Sequence, residues 1–203
     1  FPYADLVAEN GRRDQRQPEY ELLDTGVFDD DRYWVVDVVH AKADPHDLLM
    51  EISVTNAGPD TDTIHVLPHL WFRNTWAWDH GTTRPEMRAA TPRKVALQHP
   101  RFGELVWEVD TGPDGSSPEL LFCENETNNR RLFGSGDSPA YPKDAINDHV
   151  VDGADTVNPD QVGSKCAAWY RLTSAPWETQ VVRVRLRAPS TKRPFTKQFD
   201  KTI

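Results

Sequence analysis

The run Leu48-Leu49-Met50-Glu51-Ile52-Ser53-Val54-Thr55 decides the fold. Leu48, Met50, Ile52 and Val54 are apolar, Glu51, Ser53 and Thr55 alternate with them, and only Leu49 breaks the pattern. A period of two is the mark of a half-buried strand, because successive side chains point to opposite faces. Asn56-Ala57-Gly58-Pro59-Asp60 follows, with residues whose dihedrals suit a turn. Upstream, Arg32 to Ala43 is rich in Trp, Tyr and Val. Asp44-Pro45-His46-Asp47 joins that run to the Leu48 strand, so the two read as a hairpin.

The same period recurs outward along the chain. Ile64, Val66, Leu70 and Phe72 form one face of a next strand. Phe102 to Val109, Glu119 to Glu124, Lys165 to Thr173 and Glu178 to Ala188 are further strands. In the last, Val182, Val184 and Leu186 face inward and Arg183, Arg185 and Arg187 face outward, as expected of a solvated sheet face. Helical signal is confined to Asn125 to Leu132 and Pro142 to Val151, the second with Pro142 near its first turn. Many short strands with one or two short helices predict an all-β, antiparallel sandwich. Sixteen prolines agree with this, because turns and edges tolerate them and helix interiors do not. The sandwich is expected over 1–188, with 189–203 a linker or a segment that docks elsewhere.

Acidic residues number 32 against 23 basic ones, a net charge of -9. That balance argues against nucleic acid or an anionic membrane as partner, since both need concentrated Lys and Arg. Apolar runs reach only four or five residues, far short of the roughly 20 that a membrane helix needs. Cys123 and Cys166 sit in strand-like contexts and read as buried free thiols, which fits a reduced, cytoplasmic compartment. The chain opens at Phe1-Pro2 and is read as a piece of something longer.

No metal or cofactor is expected. His65 and His69 have a spacing that suits a metal on a helix, but Pro68 lies between them in a strand. Four strand residues span about 13 Å, too far for two rings to share one ion. Asp29-Asp30-Asp31 has the composition of a calcium loop without its ligand spacing or glycine. There is no Gly-x-Ser-x-Gly, and Phe133-Gly134-Ser135-Gly136-Asp137 lacks the lysine and the strand-to-helix setting of a phosphate loop. Glu124 and Glu126, flanking Asn125 at a strand end, have the form of a carboxylate pair, but glutamates that cap a loop are commoner.

The segment Leu67-Pro68-His69-Leu70-Trp71-Phe72-Arg73-Asn74-Thr75-Trp76-Ala77-Trp78 carries the most information. His65, Leu67, His69, Trp71 and Arg73 lie opposite the apolar face. Three Trp mixed with Arg and Asn compose a surface for a sugar or a protein. Trp offers a flat apolar face, while Arg and Asn supply hydrogen bonds. Three readings stay open: cover by this same chain, an interface with another domain, and direct sugar contact.

These residues also carry a family resemblance. Tyr3 to Asn10, Tyr20 to Tyr33, Leu67 to Trp78 and Glu119 to Asn128 resemble a group of large microbial proteins related to glycoside hydrolase family 63. That family holds processing α-glucosidases and mannosylglycerate-type hydrolases. The resemblance spans about Phe1 to Ala188. It implies an N-terminal β-super-sandwich of galactose-mutarotase-like shape, packed on an (α/α)6 barrel. The family's general acid and base are barrel carboxylates and its reaction inverts the anomeric centre, so no catalytic residue carries over to this chain. The implied partners are a catalytic barrel of the same parent chain and an oligosaccharide or glycoside. Trp71, Arg73, Asn74, Trp76 and Trp78, with Asn125, Glu126 and Asn128, are the expected interface or pocket rim. Two other functions compete: a free carbohydrate-binding module, and an aldose epimerase. The epimerase needs His65, His69 or His149 to converge with Glu124 or Glu126.

Overall fold

The computed structural model describes residues 1–78, 81–134, 136–189 and 195–203. Eleven strands, four α-helices and one 3-10 turn appear among them. The strands are β1 Trp34–Asp44, β2 Asp47–Asn56, β3 Asp62–Val66, β4 His69–Trp71, β5 Glu86–Thr91, β6 Lys94–His99, β7 Gly103–Val109, β8 Glu119–Cys123, β9 Val162–Gly163, β10 Lys165–Ser174 and β11 Thr179–Arg187. The helices are α1 Tyr3–Arg12, α2 Asn129–Phe133, α3 Ala145–Asp152 and α4 Lys197–Thr202.

Two antiparallel sheets pack face to face. The larger has the order β1-β2-β11-β7-β6-β5-β9. In the smaller, β10 is central, with β3 and β4 end to end and β8 as its other neighbour. Their inner faces make one apolar core. Ile52, Val54, Met87, Val95, Trp107 and Val182 come from the large sheet, and Phe122, Cys166, Tyr170 and Leu172 from the small one. The all-β sandwich and the β1–β2 hairpin match the sequence reading. The turn after β2 is built by Asn56, whose Nδ2 donates to the carbonyls of Asp60 (2.7 Å) and Ser174 (2.9 Å). Its Oδ1 accepts from the Gly58 amide. One buried amide thus ties β2 to the end of β10.

Several expectations need correction. The run expected as one strand from Ile64 to Phe72 is split at Leu67-Pro68, because proline has no amide to donate to the ladder. The β5–β6 hairpin was not expected at all. There are four short helices where one or two were expected. The helix α1 was not expected, although Tyr3, Leu6 and Val7 recur at helical spacing, and none of its residues is buried. It is pinned instead by Asn10, which donates to the Tyr20 carbonyl (2.9 Å) and accepts from the Tyr20 amide (2.8 Å).

The arginine stripe on β11 is the largest correction. Its parity is as expected, but Arg185 and Arg187 are only 2% exposed. Arg185 makes a bidentate pair with Asp47, Nε to Oδ1 at 2.7 Å and Nη2 to Oδ2 at 2.6 Å. Arg187 pairs with Glu108, and Arg183 with Glu51 at 2.8 Å. The tail meets this face. Phe199 of α4 is fully buried, the Arg183 guanidinium lies 5.3 Å from its ring, and Asp200 pairs with Arg183 at 3.1 Å. Residues 190–194 of the expected linker lie outside the described residues.

Cys123 and Cys166 are buried free thiols. Burial pushes the Cys123 thiol up to about 12 and raises Cys166 as well, so neither forms the nucleophilic thiolate near neutral pH. Iodoacetamide at pH 8 is therefore expected to leave both unlabelled in the native chain and to label both in urea. Rapid native labelling of either, seen by mass spectrometry, would contradict this packing.

Candidate functional site

The aromatic segment leaves β4 and folds back over the end of β8. Reciprocal asparagine bonds hold it there. Asn74 Nδ2 donates to the Asn125 carbonyl at 2.8 Å, and Asn125 Nδ2 donates to the Phe72 carbonyl at 2.8 Å. Asn74 Oδ1 also accepts from the Ala77 amide at 3.0 Å, which closes the turn that presents Trp76 and Trp78.

Beneath it, Glu124 and Glu126 are bound to fixed donors. The Trp76 indole donates to Glu126 Oε1 at 2.9 Å. Arg84 lies 3.0 Å from Glu124 and 3.9 Å from Glu126. Ser164 Oγ donates to Glu124 Oε2 at 2.6 Å and accepts from the Asn125 amide at 2.9 Å. The Glu124 carboxylate is thereby a clamp between β8 and the start of β10. Glu126 is a rim group oriented by an indole.

Above these groups lies an open pocket of about 410 Å³. Trp71, Arg73, Asn74, Trp78, Asn125 and Glu126 all line it. Trp71 is 55% and Trp78 71% exposed, so the described residues leave the aromatic face open. The Arg73 guanidinium lies 5.2 Å from the Trp78 ring, close enough to hold the indole upright. Trp76 reaches the site through Glu126 rather than as a lining residue. Asn128 does not line this pocket. Its Oδ1 caps α2 by accepting from the Arg131 amide at 3.1 Å, and its Nδ2 donates to Asp144.

Sequence reasoning missed part of the wall. Thr127, Asn129, Asp137 and Lys143 belong to it, beside Ala77 and Pro139. Lys143 Nζ donates to Thr127 Oγ1 at 3.1 Å, and the Lys143 amide bonds the Glu126 carbonyl at 2.9 Å. Asp137 and Lys143 arrive through the return of the chain from α2 to α3, which no local pattern announces. Ser135, in the glycine run Phe133 to Asp137, lies outside the described residues.

The three histidines considered for acid–base work lie elsewhere. His65 and His149 flank the Trp169 ring, with centroids at 5.5 and 5.8 Å. His149 Nε2 is 3.8 Å from Glu119, and His69 Nδ1 bonds the Leu67 carbonyl at 2.7 Å. Burial holds the His69 pKa below the ordinary imidazole value, although the Leu67 carbonyl opposes this. None of the three lines the pocket. Among the described residues no group of three His, Cys, Asp or Glu could hold a metal ion. Nor does any helix among them have the length and apolarity to cross a membrane.

No protein-family model matches the chain. It is similar to an uncharacterized protein of Saccharomyces cerevisiae, 31% identical over 87% of this chain. The match covers 19% of the yeast protein, so the chain spans about a fifth of its relative's length.

Proposed function

We propose that this chain is a non-catalytic N-terminal sandwich domain of a glycoside hydrolase family 63-like protein. It packs on an (α/α)6 catalytic barrel of the same cytoplasmic parent chain and helps shape the barrel's substrate pocket. The parent would be an inverting hydrolase of O-glycosyl bonds acting on an oligosaccharide or glycoside. This chain lends it walls, not the reacting carboxylates.

One observation carries the reading. Exposed indoles at Trp71 and Trp78 share a pocket with Arg73, Asn74, Asn125 and Glu126. Flat apolar rings beside convergent hydrogen-bonding groups suit sugar C–H faces and hydroxyls, or the polar rim of a domain interface. The carboxylates at the site are already engaged by Arg84, Ser164 and Trp76, which fits a supporting role. The short match to a much longer relative is in keeping with a domain within a larger protein.

The same exposed indoles favour a second reading, a stand-alone carbohydrate-binding module. Calorimetric titration of the chain with neutral oligosaccharides separates the two. The domain reading predicts no saturable heat without the barrel. Saturable binding abolished by W71A and W78A would instead establish the module. For an aldose epimerase, which needs a histidine beside the carboxylates, the placement of His65, His69 and His149 offers no support.

A further inference from the structure

β1 is the terminal strand of the large sheet. It pairs with β2 on one side, and no described strand pairs with its other edge. Edges of this length are usually blunted by lysine, proline or a bulge, because open backbone groups invite another strand. Lys42 and a register irregularity lie at the far end of β1, but between Trp34 and His40 the sequence Trp34-Val35-Val36-Asp37-Val38-Val39-His40 has no lysine, proline or bulge, and Asp37 is its one acidic charge. Its valines point to both faces. Val36 and Val38 lie beside Val54 and Ile52 on the core side, and Val35 and Val39 on the outer side. All four are between 42% and 49% exposed. The small sheet is only three strand positions wide, against seven in the large one, and on its side Trp34 packs against the core while Val36 and Val38 stay about half exposed. On the outer face α4 comes against β1, but the valines of both faces remain close to half exposed, and a strand with a further neighbour would cover them.

The sequence of the edge indicates which neighbour. It is symmetric about Asp37. Antiparallel pairing with a second copy, centred there, sets Val35 opposite Val39 and Val36 opposite Val38, each twice, with Trp34 opposite His40 at the ends. Shifting the register by one step in either direction places Asp37 against a valine and keeps only two of the four valine pairs. We propose that the chain self-associates through β1 into a two-fold dimer whose two large sheets continue as one. An isologous contact of this kind requires a self-complementary patch, and residues 34–40 supply it. The one unfavourable pair is Asp37 against its own copy, since like charges directly opposite weaken a sheet. That pair limits the affinity of the dimer without changing its register.

Analytical ultracentrifugation over a concentration series tests this. The wild-type chain is expected to shift from monomer to dimer with rising concentration. The V36K/V38K variant should stay monomeric with an unchanged circular dichroism spectrum. D37N should dimerise roughly two- to fivefold more tightly, because it removes the one repulsive cross-strand pair. Amide exchange adds a readout that needs no variant: protection at 34–40 should grow with concentration. A wild-type chain that is monomeric throughout, or a dimer indifferent to D37N and without protection at 34–40, would overturn the proposal.

Discussion

Arg185→Ala is expected to destabilise the fold by about 3–5 kcal/mol, the typical cost of leaving one partner of a buried ion pair alone. Arg185 is 2% exposed and bonds Asp47 through two parallel hydrogen bonds. The Asp47 carboxylate holds the guanidinium pKa above its ordinary value. Removing the arginine strands a carboxylate that is itself only 9% exposed. The pair need not add net stability over apolar residues, because desolvating two charges offsets much of their attraction. The double variant R185M/D47L should therefore recover most of the loss. Urea unfolding of the three proteins reads both outcomes. A single variant within about 1 kcal/mol of wild type would mean that the outer face of β11 is wetter than described.

Gly163→Ala is the second large effect. A methyl group at this position would overlap the Cys123 carbonyl oxygen and lie 2.9 Å from its carbonyl carbon. Both atoms are backbone, so no flexible side chain can yield. The close approach has a purpose: it lets the Ser164 amide bond the Cys123 carbonyl at 3.1 Å and sets the Ser164 hydroxyl between Glu124 and Asn125. Overpacking of this kind costs about 1–3 kcal/mol. Here it should also loosen the rim, because Glu124 and Asn125 lose their shared hydroxyl. Thermal unfolding measures the first effect, and the tryptophan near-ultraviolet dichroism of the Trp71–Trp78 segment the second. Gly11, with no neighbour within 4 Å of a new Cβ, serves as the control, and G11A should stay within about 1 kcal/mol of wild type.

The two variants also mark what local pattern reveals. Strand parity is local, so the inward set Val182, Val184 and Leu186 and the outward arginines were legible from period two. What lies over a strand face is not local. Nothing in Arg183 to Arg187 announces that Asp47, Glu108 and the distant Phe199 will take them out of water. The β5–β6 hairpin was missed because Ala and charged residues dilute its alternation around Met87, Ala89, Val95 and Leu97. The helix α1 was missed although Tyr3, Leu6 and Val7 recur at helical spacing, and the structure buries none of them.

At the site, the indoles were legible for a reason of composition. Three tryptophans beside Arg and Asn, opposite an apolar face, marked the segment as more than a plain solvated surface, while composition left cover by the same chain open. The structure brings Trp71, Arg73, Asn74, Trp78, Asn125 and Glu126 to one pocket. Lys143 and Asp137 come from a segment far along the chain, and their arrival depends on how the loops after β8 return; Arg84 comes from the stretch just before β5 and pairs with Glu124 across the fold. Asn128 shares its neighbours' polar character, but helix capping claims its side chain.

The domain reading stands most directly on the kinetics of the intact parent protein carrying W71A/W78A. Glycoside hydrolysis followed by proton NMR would show release with inversion in the wild type. In the variant, kcat/KM should fall at least about tenfold, about 1.4 kcal/mol of transition-state stabilisation, with unfolding of the sandwich unchanged. Wild-type rates in the double variant, or no hydrolysis of any glycoside by the intact parent, would contradict the account.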